Sequence, residues 1–428
     1  MLEGRQMYNL IERLFKICRS ITGEGVRETL MILKEHLPNL NIQEIPSGTK
    51  CYDWIVPEEW NIKDAYISDQ DGNKIVDFKK NNLHVVGYSI PINQEMSLDD
   101  LQKNLFSLPE KPEAIPYVTS YFQRLWGFCI SHNQRKNLTD QRYRVFIDSE
   151  LKPGSLTYAD FMIPGKTDKE IFISTYTCHP SLANNELSGP ALSTILGKYL
   201  TSRENYYSYR FVFAPETIGP LVYLSQHRNK LKENTIAAFN LSCVGDNRSV
   251  SFLPSRQGNS LTDRIARHIL RHKVPEYKEY SYLKDRGSDE RQYCSPGTDL
   301  PMVSIMRSKY GNYPEYHTSL DNLSVVSIEG LQKSFDLHSE CFVLIEKNKT
   351  FQSTSIGEPH LARRGLINKL GGGLNSSPKR KMIQDFLSCA DGKNDLINIA
   401  DQIGIYALDL LLIVETLLEM DLIKETIE

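Results

Sequence analysis

Residues 170–202 read EIFISTYTCHPSLANNELSGPALSTILGKYLTS. Residues 170–178 are a nearly continuous apolar run, the pattern of a strand covered on both faces. Residues 189–202 repeat apolar side chains at positions 192, 195, 196 and 199, the spacing of a helix. Between the two lie a histidine, two asparagines, a glutamate and a Ser-Gly-Pro break. Strand, loop and helix in this order form one unit of a parallel α/β sheet.

The alternation continues outward. YRVFIDS (143–149), YRFVFAP (209–215), TIAAFNLSCVG (235–245) and DLPMVSIM (299–306) read as strands. IGPLVYLSQHRNKL (218–231) and the segments near 260–272 and 326–346 read as helices. The expected fold is therefore α/β, with a mostly parallel mixed sheet sandwiched by helices. In such sheets, sites form at the carboxyl ends of the strands.

Residues 5–37 read as two helices around the TGEG break at 22–25. Residues 50–128 change character: AYISDQDGNKIVDF (65–78) holds an Asp-Gly turn between β-like runs. NNLHVVGYSIPI (81–92) reads as another strand, and IPYVTSYFQRLWGFCI (115–130) is dense in aromatics. This is a small β-rich inserted domain. GGGLNSSPK (371–379) reads as a linker. The three helical patterns after it have the rhythm of a winged-helix domain. The expected domains are 1–49 with 129–355, the insert 50–128, and the winged helix 375–428.

The 428 residues are 40% hydrophobic and 24% charged, with a net charge of −3, an ordinary globular balance that argues against nucleic acid or membrane as partners. From Gln384 onward, acidic residues far outnumber the two lysines, which also argues against DNA and favours docking or dimerisation through the C-terminal domain. No run of about eighteen apolar residues and no signal-peptide core is present. The eight cysteines lack any CxxC pair, so reduced thiols and a cytoplasmic location are expected.

Several polar residues fall at strand ends: His179, Glu216, Asp246, and His317 in a loop beyond 299–306. A lone histidine is more often a core or surface residue than a ligand. Two histidines and several carboxylates at strand ends shift the balance, because imidazole and carboxylate are the ligands of catalytic zinc. Adjacent strand residues point to opposite faces, which argues against pairing Cys178 with His179 as a nucleophile.

CHPSLANNELSGP (178–190), FAPETIGP (213–220), RGSDERQYCSPGTDLP (286–301) and YPEYHTSLDN (313–322) together resemble a bacterial aminopeptidase-like family, many of whose members are labelled as polysaccharide-biosynthesis proteins. That family is similar to the co-catalytic zinc aminopeptidases. The resemblance implies that His179 and His317 are metal ligands and Glu216 the general base. Where the wider class has carboxylate ligands, this chain has Asn185, Thr217 and Ser242. Neutral groups cannot offset the repulsion of two cations. One zinc is therefore expected rather than two, held by His179, Glu186 and His317, with Asp246 or Asp289 as substitutes for Glu186. The loop must fold back to bring Glu186 to His179.

The resemblance also places Arg286, Asp289, Glu290 and Arg291 beside a substrate, with Asn185, Arg307 and Tyr316 as further substrate-binding candidates. Arginines hold carboxylates bidentately, so a basic pocket with Arg307 and Lys309 suits an acidic or sugar-linked substrate. Glu216 reads first as the base and second as a helix N-terminal glutamate favoured by the dipole, while the charged loop reads equally as a solvated cluster. The expected function is a metal-dependent hydrolase of a peptide, small-molecule or sugar-linked amide, of the kind found in surface-glycan biosynthesis. The rival is a non-hydrolytic binding or scaffold protein that keeps the fold without a working metal centre.

Overall fold

The computed structural model describes residues 1–366 and 378–426, so the linker read at 371–379 lies largely outside the described residues. The chain divides into two compact units, 1–262 with 278–336, and 263–277 with 337–428.

The first unit is built on an eight-stranded mixed sheet. Its centre is four parallel neighbours in the order Ser208–Ala214, Glu170–Tyr176, Thr235–Asn240, Met302–Met306. Every residue of Glu170–Tyr176 and of Ser208–Ala214 is buried, as strands covered on both faces require. On one face, Phe172, Val212 and Ala238 join a buried cluster with Val222, Tyr223 and Leu231 of the helix Ile218–Asn234. On the other lies the helix Ser188–Thr201, so close that a Cβ on Gly189 would stand 2.3 Å from the Leu241 carbonyl oxygen and 2.5 Å from Thr175 Oγ1. Glycine at 189 is what lets the helix start directly over the strand ends.

Three segments differ from expectation. YRVFIDS belongs to Arg142–Lys152, which pairs with Glu59–Ser68 and Ile92–Ser97 in a separate four-stranded sheet. Its burial alternates, with Tyr143, Val145 and Ile147 inward, the period of a strand covered on one face only. The small sheet thus takes its longest strand from beyond the 50–128 range. Ser155–Ile163, not read as a strand from the sequence, joins the main sheet antiparallel to Ser208–Ala214. Within NNLHVVGYSIPI, Asn82–His84 is a 3-10 turn capped by the Asn81 side chain, and regular pairing begins only at Ile92. The hairpin read at AYISDQDGNKIVDF is present, pairing Glu59–Ser68 with Lys74–Asp77.

The second unit contains helices Pro378–Cys389, Leu396–Ile403 and Leu411–Glu419, with a three-stranded sheet. The central strand of that sheet is Thr350–Ser353, upstream of the boundary at 375. No single helix among the described residues is long and apolar enough to cross a membrane. None of the eight cysteines is in a disulfide.

Candidate active site

His179 and Glu216 follow directly on the neighbouring parallel strands Glu170–Tyr176 and Ser208–Ala214, so sheet topology alone brings them together. The chain after His179 folds back through a π-type turn, Ala183–Leu187, a departure from regular helix that is frequent at functional sites. Asp321 pins this turn: its carboxylate accepts the backbone N–H groups of Asn184 at 2.8 Å and Asn185 at 2.9 Å, and the Tyr313 hydroxyl at 2.8 Å. The turn delivers Glu186, fully buried, to the far edge of the His179 ring.

A line of three groups results. Glu186 Oε2 lies 2.7 Å from His179 Nδ1, and Glu216 Oε2 lies 3.6 Å from His179 Nε2. Behind Glu186 stands Arg19, wholly buried, with Nε 3.8 Å from Glu186 Oε1. Arg19 also donates to the His179 carbonyl at 3.0 Å and the Leu14 carbonyl at 2.8 Å. Burial opposes charge on His179, but the hydrogen bond and charge of Glu186, with the charge of Glu216, outweigh it and raise the imidazole pKa. Burial likewise raises the Glu216 carboxyl, more than the charges of His179 and Arg291 lower it.

Glu216 and His179 open onto a cleft of about 370 Å³. One wall comes from Ile21, Trp54 and the segment 117–122, the other from 178–179, 216–218, Arg291 and His317. Tyr117 packs its ring on both histidines, with centroids 4.9 Å from His179 and 5.2 Å from His317, and its N–H donates to the His317 carbonyl at 2.9 Å. Backbone strain collects here. Ser181, Thr217, Cys243 and His317 all have positive φ, and at 68° Thr217 is a β-branched outlier. Asp289 holds Thr217 in place by accepting its N–H at 2.7 Å, and Arg291 Nη2 donates to Thr217 Oγ1 at 3.0 Å.

The other expected site residues divide. Arg291 lines the cleft, whereas Arg286 turns away to the Leu283 carbonyl at 2.6 Å. Arg307 is buried on the Asp246 carbonyl at 2.8 Å, and Lys309 on its own side of Tyr310, so neither makes the cleft basic. Glu290 is spent on the N–H groups of Gly287 and Ser288 and on the Tyr310 hydroxyl. Asp246 accepts from Ser308, Asn184 and Arg248. Asn185 donates its side-chain amide to Tyr176 at 2.6 Å. Tyr316 stacks on His317 at 3.9 Å. Asp289 is buried, its carboxyl driven well up by that burial and by Glu216.

His317 is neutral in the fold, its pKa pushed down to about 3 by burial and by the facing His179. An unfolded histidine takes up its proton near 6.5. The stability this group contributes is therefore complete above pH 6.5 and is lost as pH falls toward 3, at no more than about 1.4 kcal/mol per pH unit. Urea unfolding across that range is expected to show the slope, and His317→Gln to reduce it.

The cation expected around His179, Glu186 and His317 is not what the geometry brings together. Glu186 is on the Nδ1 edge of His179, while Glu216 faces Nε2. Among the described residues, the donors that cluster are Cys178, His179 and Glu186, all buried and within 4.8 Å of one another. A cation there would replace the proton shared by His179 and Glu186, opposed by the Arg19 guanidinium. The rings of His179 and His317 lie 5.4 Å apart.

Cys178 does meet His179, with Sγ 3.5 Å from Nδ1, because both lie beyond the strand end where side chains no longer alternate. Burial and the nearby carboxylates hold the thiol far above its ordinary pKa, so it supplies no thiolate. Arg19 and Trp54 carried no signal in the sequence, and neither the aromatic density at 115–130 nor the motif at 313–322 showed that Tyr117–Phe122 forms a wall or that Asp321 pins the turn. Each lies far along the chain from the motif it serves.

Residues 8–348 match the family described as "Domain of unknown function (DUF4910)", and residues 349–425 a winged helix-turn-helix family. A Clostridium acetobutylicum protein, described provisionally as a polysaccharide biosynthesis protein with an aminopeptidase-like domain, is 45% identical over 424 residues, 97% of this chain and 96% of its own. A crystal structure of a protein from the same organism, described provisionally as a peptidase, is 42% identical, with a TM-score of 0.93 over 99% of this chain and 96% of that chain. BSAP, a zinc aminopeptidase from Bacillus subtilis, shares the fold at 13% identity, with a TM-score of 0.58 over 80% of this chain and 94% of that chain.

Proposed function

As the chain belongs to the family described as a domain of unknown function (DUF4910), whose fold here is aminopeptidase-like, we propose that it is a peptidase-like hydrolase of amide bonds worked by Glu216 and His179. The observation that carries this reading is the line Glu186–His179–Glu216, buried at one end and open to the cleft at the other. Glu216, its pKa raised, accepts a proton from water and returns it to the leaving amine. Glu186 fixes the ring of His179, so that Nε2 faces the cleft and stabilises the charge on Glu216. Arg291 orders Thr217 and with it the Glu216 backbone.

Zinc enters the proposal as one cation, which would be held on the cleft side by His179 and His317, with Glu186 orienting the His179 ring from behind. When bound, zinc polarises an amide carbonyl and lowers the pKa of its water toward about 7. The relatives' description supports an amide in polysaccharide biosynthesis as the setting.

A non-hydrolytic binding role is the second reading. It is favoured by the neutral side chains of Asn185 and Thr217, committed to Tyr176 and Arg291 instead of a metal. Metal analysis of protein purified without added metal, paired with an amide-hydrolysis assay, separates the two. About one zinc per chain, lost in His179→Ala, together with turnover, is the expected result. Neither metal nor turnover on any amide would leave the binding role.

A further inference from the structure

The charges of the cleft are unlike those an aminopeptidase needs. Such an enzyme must hold a free α-ammonium, which calls for carboxylates. Among the described residues lining the cleft, Glu216 is the single carboxylate, and it faces His179. Arg291 is the single guanidinium there, and it makes no ion pair among the described residues. Its Nε donates to the Ser288 carbonyl at 3.1 Å and its Nη2 to Thr217 Oγ1 at 3.0 Å. Two of its five N–H groups thus fix the plane of the fork, and the rest are free to meet a carboxylate.

The opposite wall is aromatic. Trp54 meets Phe122 edge to face at 5.7 Å, and Phe122 is 63% exposed at the rim. Tyr121 lies beside them, its hydroxyl hydrogen-bonded to that of Tyr117 at 2.8 Å. Exposed rings at the mouth of a cleft offer flat apolar area to a ligand ring.

From these two walls we infer that the cleft selects an N-acylated compound bearing a ring and a free carboxylate on the amine side of the amide, and not a peptide with a free amino terminus. Arg291 receives the carboxylate, Trp54 and Phe122 receive the ring, and the amide lies at Glu216. The inference rests on the hydrolase reading for cleavage: water adds to the acyl carbon, the C–N bond breaks, and the released amine takes the proton. Binding does not depend on that step.

N-acetyl-L-phenylalanine and N-acetylneuraminic acid both carry acetamide, ring and carboxylate, and comparing them tells an aromatic ring from a sugar ring. L-phenylalaninamide has the ring and a free amine without a carboxylate, and N-acetylglycine has the carboxylate without a ring. Quenching of tryptophan fluorescence measures binding of each to the full chain, and acetate release measures cleavage. At least one of the first two is expected to bind more tightly than either control. Arg291→Met is expected to weaken it roughly 10–100-fold, the scale of charge-assisted hydrogen bonds, and to leave L-phenylalaninamide unchanged. Phe122→Ala is expected to weaken the ring ligands and not N-acetylglycine. Unchanged melting of both variants shows that the fold is intact.

Binding that depends on Arg291, with no acetate released, supports this selectivity and counts against the hydrolase reading. Preferred binding or cleavage of L-phenylalaninamide, insensitivity to Arg291→Met, or no saturable binding of either N-acetyl acid overturns the selectivity, and cleavage of L-phenylalaninamide would do so while the hydrolase reading stands.

Discussion

Glu216→Gln is expected to lower the rate of amide hydrolysis by about 10²–10⁴-fold, the range for loss of a positioned general base. The substitution keeps the shape of the side chain and removes its ability to take a proton. Glu216 N–H still donates to Cys178 Sγ, so the backbone that places the residue is unaffected. A pH profile distinguishes this role from a structural one. The base works only when ionised, and burial raises its pKa. Activity should therefore fall as the pH drops through that raised value, and in Glu216→Gln the residual rate should lose this acid limb. A variant with an unchanged profile would remove Glu216 from the chemistry.

The second large effect is on stability. Arg19→Met is expected to cost about 3–5 kcal/mol in urea unfolding, the scale for breaking one partner of a buried ion pair. Arg19 and Glu186 are both wholly buried, and Glu186 Oε1 has no hydrogen-bond partner apart from this electrostatic one. Removing the guanidinium leaves a carboxylate in the core beside His179. It also takes a donor from the His179 carbonyl and from the Leu14 carbonyl, which keeps the N–H of Ile17 at 3.1 Å. The double variant Arg19→Met/Glu186→Gln should recover part of the loss, since it removes the uncompensated charge. If the two substitutions are additive, the pair is not an energetic unit. Full recovery is not expected, because the carbonyl bonds stay broken.

These two residues also show how differently the site was legible. Glu216 follows a continuous apolar run, so its place at a strand end could be read directly. Arg19 sits after an amphipathic helix in CRSITGEG, with nothing local to distinguish it from a solvated arginine. Its partner His179 is 160 residues away. The same holds for the three loop arginines. Arg286, Arg291 and Arg307 were equal candidates by composition, and only packing separates them. Arg307 turns to the Asp246 carbonyl, Arg286 to the Leu283 carbonyl, and Arg291 to the cleft.

The aromatic wall follows the same logic. IPYVTSYFQRLWGFCI was visibly rich in rings, yet the pattern of the insert did not reveal whether it covered the pocket. Tyr117 answers that by packing on His179 and His317.

Period and run length along the chain thus settled the central parallel sheet, the helices on both its faces and the strand-end positions of His179 and Glu216. Burial on both faces leaves a local record in continuous apolar runs. The role of Glu186 behind His179, the buried Arg19, the choice of Arg291 and the wall from the insert came only with the folded chain. Those depend on where a side chain points once distant segments meet, and sequence spacing within any one segment does not carry that direction.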